Sequence, residues 1–228
     1  MIKTLFLDLD DTILDFHAAE RVALSSALLD MGVEPTDALL KRYKEINREC
    51  WERLERGELT REQVLLTRFQ LLFCELGYTA SAEKTQQIYE YRLSLEHPFI
   101  DGAPELLEAL YGKYSLYIAS NGTASVQDRR ISDTGIGKYF EGIFISQRIG
   151  ANKPDKEFFD RCFAETKGFD KSEAMIVGDS LSSDILGGKN AGIRTCYFNP
   201  HRRLNTTGII PDFEIHSLSE LIPLLERL

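Results

Sequence analysis

The apolar pattern of this sequence changes twice, and the two changes limit the folds that the chain can adopt. Residues 2–8 form a short, almost continuously apolar segment, which is typical of a strand buried on both faces. Residues 17–96 have a helical pattern throughout, whereas helices and strands alternate after residue 98. We therefore expect the first strand to join the alternating part, with the helical segment inserted between them.

The insertion is expected to form a bundle of four helices. Apolar residues recur at helical spacing in three groups: Val22, Leu24, Leu28 and Leu29, then Tyr43, Ile46, Cys50 and Leu54, then Val64, Leu65, Leu71 and Leu72. Glycine and proline interrupt the pattern at 32–35, 57, 77 and 97–98. Because no strand intervenes, a helical bundle is favoured over a piece of sheet.

The remaining chain predicts a parallel sheet with helices on both faces. The expected strands are 2–8, 116–119, 143–145, 175–177, 195–198 and 213–215, and the expected helices are 104–111, 125–133, 155–166, 182–191 and 218–227. Strands that alternate with helices indicate an α/β fold with a parallel sheet. The sequence thus divides into an α/β core of residues 1–14 and 98–228 and a helical domain of residues 15–97.

Charge and hydropathy restrict the partners. The formal net charge of -9 offers no basic surface for a nucleic acid polymer or an anionic membrane. The longest stretch without an ionised side chain has 14 residues, from Tyr114 to Gln127, and is shorter than the ~20 apolar residues of a membrane-spanning helix. Acidic residues from Asp8 onward interrupt any apolar signal segment. Widely spaced cysteines favour neither a zinc site nor disulfides, so we expect a cytoplasmic protein.

Polar residues follow several predicted strands at their carboxyl ends, where open parallel sheets bind ligands. They are Asp8-Leu9-Asp10-Asp11-Thr12, Ser120-Asn121-Gly122, Gly178-Asp179-Ser180 with Asp184, and Lys153-Pro154 ahead of a helix. Each alone is ordinary turn or capping chemistry. Together they place several carboxylates at one sheet edge, where like charges repel one another unless a cation relieves them. Ligands that are all oxygen suit Mg²⁺.

These motifs, in this order, resemble the four motifs of the haloacid dehalogenase superfamily, and the likeness covers the whole chain. The resemblance implies a Rossmann-like core with an inserted four-helix cap. It implies that Asp8 is a nucleophile that forms an aspartyl phosphate and that Asp10 is the general acid and base. Ser120, Lys153 and the backbone N–H of Asn121 would then bind the phosphoryl group.

The same resemblance implies a Mg²⁺ site and two supporting residues. The ligands would be Asp8, the backbone carbonyl of Asp10, Asp179 and Asp184, the last through water or as a partner of Lys153. Thr12 would support the first loop, and Asp11 is expected to be a turn residue.

The first motif favours phosphate-ester chemistry, because Asp10 stands where dehalogenating members resemble Asp-x-Tyr. The run from Gly178 to Pro200 is similar to that of the house-cleaning pyrimidine 5′-nucleotidases. We therefore expect a Mg²⁺-dependent phosphomonoesterase that acts on a small phosphorylated metabolite, a nucleoside 5′-monophosphate. A sugar-phosphate phosphatase or mutase and a non-catalytic phospho-aspartyl switch remain alternatives. Trp51 could stack on a base, but its helical spacing favours the bundle core. The sequence does not indicate the oligomeric state.

Overall fold

The computed structural model describes all residues from Met1 to Leu228. The elements in chain order are β1 (Thr4–Leu7), α1 (Phe16–Asp30), α2 (Asp37–Glu55), α3 (Arg61–Leu76), α4 (Ala82–Leu95), α5 (Ala103–Leu110), β2 (Ser115–Ser120), α6 (Ala124–Thr134), β3 (Gly142–Ile145), α7 (Ser146–Ile149), α8 (Lys156–Glu165), β4 (Ala174–Gly178), α9 (Leu186–Ala191), β5 (Arg194–Phe198), β6 (Phe213–Ile215) and α10 (Leu221–Leu225). Every predicted strand is present. None of the helices is both long enough and apolar enough to span a bilayer.

The six strands form one sheet in the order β3-β2-β1-β4-β5-β6, and all neighbours are parallel. This confirms the predicted α/β fold with a Rossmann-like parallel sheet. Strand β1 pairs with β2 on one side and β4 on the other, so the strand order reverses beside it. Ligands of such sheets bind where the order reverses, beyond the carboxyl ends of the strands.

Strand β1 is buried on both faces, which explains its continuous apolar sequence. Leu5 and Leu7 lie in one core cluster with residues of α5, α6 and α10. Phe6 faces the opposite side, where it stacks on Tyr117 with ring centroids 5.4 Å apart and joins the apolar residues of α8. The central strand is thus held by a core on each face, and this anchors the loop that follows it.

The chain divides into two compact units, one of residues 1–16 and 98–228 and one of residues 17–97. In the first unit, the chain segments that lead into and out of the helical insertion run side by side. The Asp15 N–H donates to the Pro98 carbonyl at 2.8 Å, and Leu14 forms a β-bridge with Phe99. These backbone contacts return the chain to the sheet next to the point where it left.

The second unit contains the helical insertion, in which aromatic rings and a buried arginine form the centre. The rings of Tyr43, Phe69 and Tyr89 have centroids 5.2 to 6.1 Å apart. The Arg68 guanidinium lies 4.9 Å from the Tyr89 ring centroid and donates to Asn47 at 2.9 Å. Because the cation is hydrogen-bonded and faces π systems, its burial is compensated.

Three residues predicted as bundle core are exposed instead. Val22 is 49% exposed, Leu29 is 56% exposed and Leu71 is 38% exposed, although Tyr43, Ile46, Cys50 and Leu54 are buried as predicted. Successive helical residues point about 100° apart, so Leu29 and Leu71, each next to a buried leucine, turn away from the core. Val22 lies two positions before the buried Leu24 and so points about 200° away from it. Trp51, which was also expected in the bundle core, is partly exposed. Its indole N–H donates to Asn47, and the Arg61 guanidinium lies over its ring at 5.4 Å.

Two predicted helices of the core unit are shorter than expected, and one short helix was not predicted. Residues Leu181–Ile185 form a π-helical turn before α9, and residues Leu218–Glu220 form a 3₁₀ turn before α10. Helix α7 has only 4 residues, too few for a periodic pattern to be visible. The turn at 181–185 matters for the site because it carries Asp184.

Candidate active site

The register of the central strands brings the predicted site residues to one edge of the sheet. Leu7 pairs with Ile118 of β2 and with Val177 of β4. Asp8, one residue beyond, donates its backbone N–H to the Val177 carbonyl at 2.9 Å. Asp179 directly follows β4, and Ser120 is the last residue of β2. The site therefore lies where the strand order reverses.

Lys153 stands between two of the carboxylates and is buried with them. Its ammonium donates to Asp8 Oδ1 at 2.6 Å, to Asp184 Oδ1 at 2.7 Å and to the Ala119 carbonyl at 2.6 Å. Burial works against the charged form of Lys153, but the neighbouring Asp184 and Asp8 outweigh it and raise its pKa. Lys153 is therefore a permanent positive charge at the centre of the site.

Three carboxylates form a cluster whose chemistry suits a hard cation. One oxygen from each of Asp8, Asp179 and Asp184 lies within 4.8 Å of the others. Burial, with Asp184 and Asp10 adding to it, raises the pKa of Asp8 to about 8 despite the opposing charge of Lys153. Burial and the nearby Asp8 also raise the pKa of Asp179 well above its usual range. A divalent cation among these oxygens offsets both burial and repulsion, so the residues fit a metal ion.

Asp184 reaches this cluster because the last residue of β4 has no side chain. A Cβ atom on Gly178 would lie 2.2 Å from Asp184 Oδ2 and 2.8 Å from Asp184 Cβ. The Asp184 carboxylate also accepts from the Ser180 backbone N–H at 3.1 Å. Glycine at 178 is therefore a packing requirement of the site.

We expect Gly178→Ala to lower the free energy of unfolding by about 1–3 kcal/mol, the usual effect of overpacking a filled interior. The added methyl group must displace the buried Asp184 from Lys153. Urea denaturation measures the change, and Gly137→Ala is the matched control because its Cβ would make only an ordinary contact, 3.4 Å from Ile131. Equal stability of the two variants would contradict the packing explanation.

Ser120 and Asn121 occupy different positions in the hydrogen-bond network. The Ser120 hydroxyl accepts from the Gly122 N–H and from Gln127 Nε2, each at 3.0 Å, which leaves its own proton to donate. The Asn121 side chain accepts from the Lys153 N–H and donates to the Lys153 carbonyl, each at 2.9 Å. Asn121 thus fixes the backbone of Lys153, a role that the sequence did not reveal.

The loop after β1 is a tight turn. Asp11 has a φ of 57°, and the N–H groups of Ile13 and Leu14 both donate to the Leu9 carbonyl. Aspartate tolerates this left-handed conformation, as the turn prediction for Asp11 requires. Thr12 is fully buried, and its hydroxyl has no hydrogen-bond partner within the protein. Packing, rather than a hydrogen bond to the loop, is what Thr12 contributes here.

The Asp10 carboxylate is bound by two residues of α6 that were not identified from the sequence. Gln127 Nε2 donates to Asp10 Oδ2 at 2.6 Å, and the Arg130 guanidinium forms an ion pair with Asp10 Oδ1. Both side chains are buried, at 1% and 0% exposure. The only sequence signal was their position, one helical turn apart on the helix after Ser120-Asn121-Gly122.

The fold and the site together define a class of α/β proteins in which an acidic cluster surrounds a lysine where the strand order of a parallel sheet reverses. A family model described as haloacid dehalogenase-like hydrolase matches residues 2–192. The chain belongs to this family.

Three related proteins align with nearly the whole chain. The HAD-hydrolase YfnB of Bacillus subtilis is 41% identical over 223 residues, which are 98% of this chain and 95% of the relative. A crystal structure of YfnB bound to magnesium matches with a TM-score of 0.94 and covers 98% of each chain. Pyrimidine 5′-nucleotidase PynA of Streptococcus pneumoniae is 36% identical over 226 residues, 99% of this chain and 95% of the relative. Pyrimidine 5′-nucleotidase YjjG of Escherichia coli is 32% identical over 221 residues, which are 97% of this chain and 96% of the relative.

Proposed function

We propose that this protein is a Mg²⁺-dependent phosphomonoesterase that hydrolyses nucleoside 5′-monophosphates through a phosphorylated Asp8. The observation that carries the proposal is the position of the Asp8 carboxylate, which lies where the strand order of the sheet reverses. One of its oxygens accepts a hydrogen bond from Lys153, and a carboxylate oxygen of Asp179 lies within 4.8 Å. The names of PynA and YjjG support a pyrimidine nucleotide as the substrate. We also propose that the protein acts in the cytoplasm on small phosphorylated metabolites.

The proposed metal site uses Asp8, Asp179 and the backbone carbonyl of Asp10, with Asp184 contributing through water or through its ion pair with Lys153. The YfnB crystal structure bound to magnesium supports this choice of ion. When bound, Mg²⁺ supplies positive charge that lets an anionic phosphate ester approach the carboxylates.

The phosphoryl group is proposed to bind to Ser120, Lys153 and the Asn121 backbone N–H. The Ser120 hydroxyl is oriented for this, because two donors already occupy its oxygen. Lys153 places a fixed positive charge next to the Asp8 carboxylate. Both groups stabilise the negative charge that spreads over the phosphoryl oxygens during transfer.

The reaction proceeds in two displacements at phosphorus. An Asp8 carboxylate oxygen forms a bond to phosphorus while the bond to the ester oxygen breaks, and Asp10 gives its proton to the departing oxygen. Asp10, now a carboxylate, takes a proton from water, whose oxygen bonds to phosphorus as the bond to Asp8 breaks. Inorganic phosphate leaves, and Asp8 and Asp10 return to their starting states.

We also propose that residues 15–97 act as a cap domain on the core of residues 1–14 and 98–228. The cap would select the substrate and exclude water during transfer. The crystal structure of magnesium-bound YfnB, which matches 98% of this chain, reveals interdomain movement in that protein and supports this proposal.

A panel of phosphate esters tests the proposed function. Phosphate release is measured with uridine, cytidine and adenosine 5′-monophosphates, glucose 6-phosphate and glyceraldehyde 3-phosphate. We expect the pyrimidine nucleotides to have the highest kcat/KM. EDTA is expected to lower it by at least about 100-fold, because a metal ion contributes several kcal/mol to such transition states, and added Mg²⁺ should restore it.

Each alternative has its own outcome in this panel. Preference for a sugar phosphate would replace the nucleotide assignment, and relatives named glyceraldehyde 3-phosphate phosphatase, 25% and 26% identical, make that comparison worthwhile. Release of a single equivalent of leaving group without turnover would indicate a phospho-aspartyl switch. Activity unaffected by EDTA would contradict the metal site.

A further inference from the structure

Asp10 is held by two buried side chains that contact both of its carboxylate oxygens. Gln127 Nε2 donates to Oδ2 at 2.6 Å, and Arg130 Nη1 donates to Oδ1. Arg130 Nη1 also donates to Gln127 Oε1 at 3.0 Å, so the two side chains are fixed to each other. The Asp10 carboxyl group therefore has one orientation, although its side chain is 26% exposed to solvent.

Gln127 also links Asp10 to the proposed phosphoryl-binding hydroxyl. Its Nε2 donates to Ser120 Oγ at 3.0 Å as well as to Asp10. The neighbouring Gly122 leaves room for this amide, since a Cβ atom there would lie 2.2 Å from Gln127 Nε2. One amide group thus sets the separation between the acid and the hydroxyl.

Stability alone is a weak reason for this arrangement. Burying a guanidinium is expensive, and a buried ion pair often contributes no more to stability than apolar residues of similar volume. Here, Arg130 is completely buried while its partner Asp10 remains in contact with solvent. The pairing instead restricts the direction in which a partly exposed carboxyl group points.

We propose that Gln127 and Arg130 are positioning residues that orient the Asp10 carboxyl group for proton transfer to the leaving oxygen. This rests on the proposed phosphomonoesterase function. Each Asp10 oxygen accepts one bond from α6 and keeps a second lone-pair direction for the transferred proton. The proton passes from Asp10 to the ester oxygen as its bond to phosphorus breaks, and Gln127 and Arg130 exchange no proton.

The dependence of the rate on the leaving group tests this role. p-Nitrophenyl phosphate releases a stable phenolate that needs no protonation, whereas a nucleoside 5′-monophosphate releases an alkoxide that does. The value of kcat/KM reports only the steps through phosphoryl transfer, so later hydrolysis of the phosphorylated enzyme does not affect it.

The variants are Gln127→Leu, Gln127→Asn and Arg130→Met, with Arg130→Lys as the conservative change. We expect Gln127→Leu and Arg130→Met to lower kcat/KM for the nucleotide about 100-fold, the scale of a misplaced catalytic group. Arg130→Met should keep kcat/KM for p-nitrophenyl phosphate within about threefold of wild type, because Asp10 is not needed as an acid there. Gln127→Leu also removes a donor to Ser120, so it should lower kcat/KM for both esters, but by a clearly larger factor for the nucleotide. Gln127→Asn should behave like Gln127→Leu because its amide is one methylene too short, and Arg130→Lys should lose less than Arg130→Met.

The matched control is Arg129→Met on the same helix, where Arg129 pairs with Asp133 at the surface. It should change neither kcat/KM. Equal losses on both esters in the Gln127 and Arg130 variants would show a structural role and overturn the proposal, as would wild-type values on both. Failure of the proposed function is a separate result, because it would appear in the wild-type enzyme itself, which would then not hydrolyse the nucleotide.

Discussion

Asp8→Asn is expected to lower phosphate release from the preferred substrate by about 10⁴-fold or more, the scale seen when an enzyme loses its nucleophile. The amide that replaces the carboxylate is a poor nucleophile toward phosphorus, yet it has nearly the same volume. It also removes one negative charge from a buried cluster, so the fold should persist. Steady-state phosphate release with Mg²⁺ measures the loss, and circular dichroism checks the fold.

Asp11→Asn is the matched control for this substitution. It makes the same chemical change three residues further on, at a φ of 57° that asparagine tolerates as well as aspartate. We expect it to stay within a few-fold of wild type. Comparable losses in Asp8→Asn and Asp11→Asn would mean that general acidity of the loop, rather than a nucleophile at Asp8, supports the reaction.

Lys153→Met should be the most destabilising single change in the site. It leaves the buried Asp8 and Asp184 without the cation that each contacts, at 2.6 and 2.7 Å, and breaking one partner out of a buried ion pair lowers stability by about 3–5 kcal/mol. Urea denaturation in EDTA measures this change in the free energy of unfolding. Activity should be lost as well, because the phosphoryl group loses its fixed positive charge.

Lys156→Met controls for the loss of a lysine. Lys156 pairs with Asp160 one helical turn away, and both side chains are about half exposed. Such a surface pair contributes about 0.3–0.5 kcal/mol. A Lys153→Met/Asp184→Asn double variant should recover part of the stability because it also removes a stranded carboxylate. A loss in Lys153→Met no larger than that in Lys156→Met would contradict the central role of this ammonium.

The sheet could be predicted because its strands are short, apolar and buried on both faces. Leu5, Phe6 and Leu7 leave no polar position that would suggest a surface strand. The same pattern located the site, since a parallel sheet brings its strand ends to one edge. Asp8 and Asp179 are far apart in the chain but follow adjacent strands, β1 and β4.

The side-chain network around Asp10 could not be predicted from the sequence. Gln127 and Arg130 lie 117 and 120 residues from Asp10, and their hydrogen bonds depend on how α6 packs over the end of the sheet. Glutamine and arginine on a short helix are ordinarily read as solvent-facing. The hydrogen bonds between the Asn121 side chain and the Lys153 backbone could not be predicted for the same reason, because they join two loops that meet only in the folded chain.

The bundle shows a different limit of sequence analysis. Helical spacing found the buried Tyr43, Ile46 and Cys50 because these residues recur every three or four positions. It failed for Leu29, which immediately follows the buried Leu28. Adjacent leucines on a helix cannot be sorted into core and surface until the position of the neighbouring helix is known.

The proposed mechanism requires transfer of the phosphoryl group to Asp8, and Asp10→Asn with p-nitrophenyl phosphate tests this transfer directly. This ester needs no acid for the first step, whereas hydrolysis of the phosphorylated enzyme needs Asp10 as a base. Rapid mixing should give a burst of p-nitrophenolate equal to the enzyme concentration, and mass spectrometry after acid quench should find the phosphoryl group on Asp8. Steady turnover without a burst, or a phosphoryl group on another residue, would contradict the mechanism.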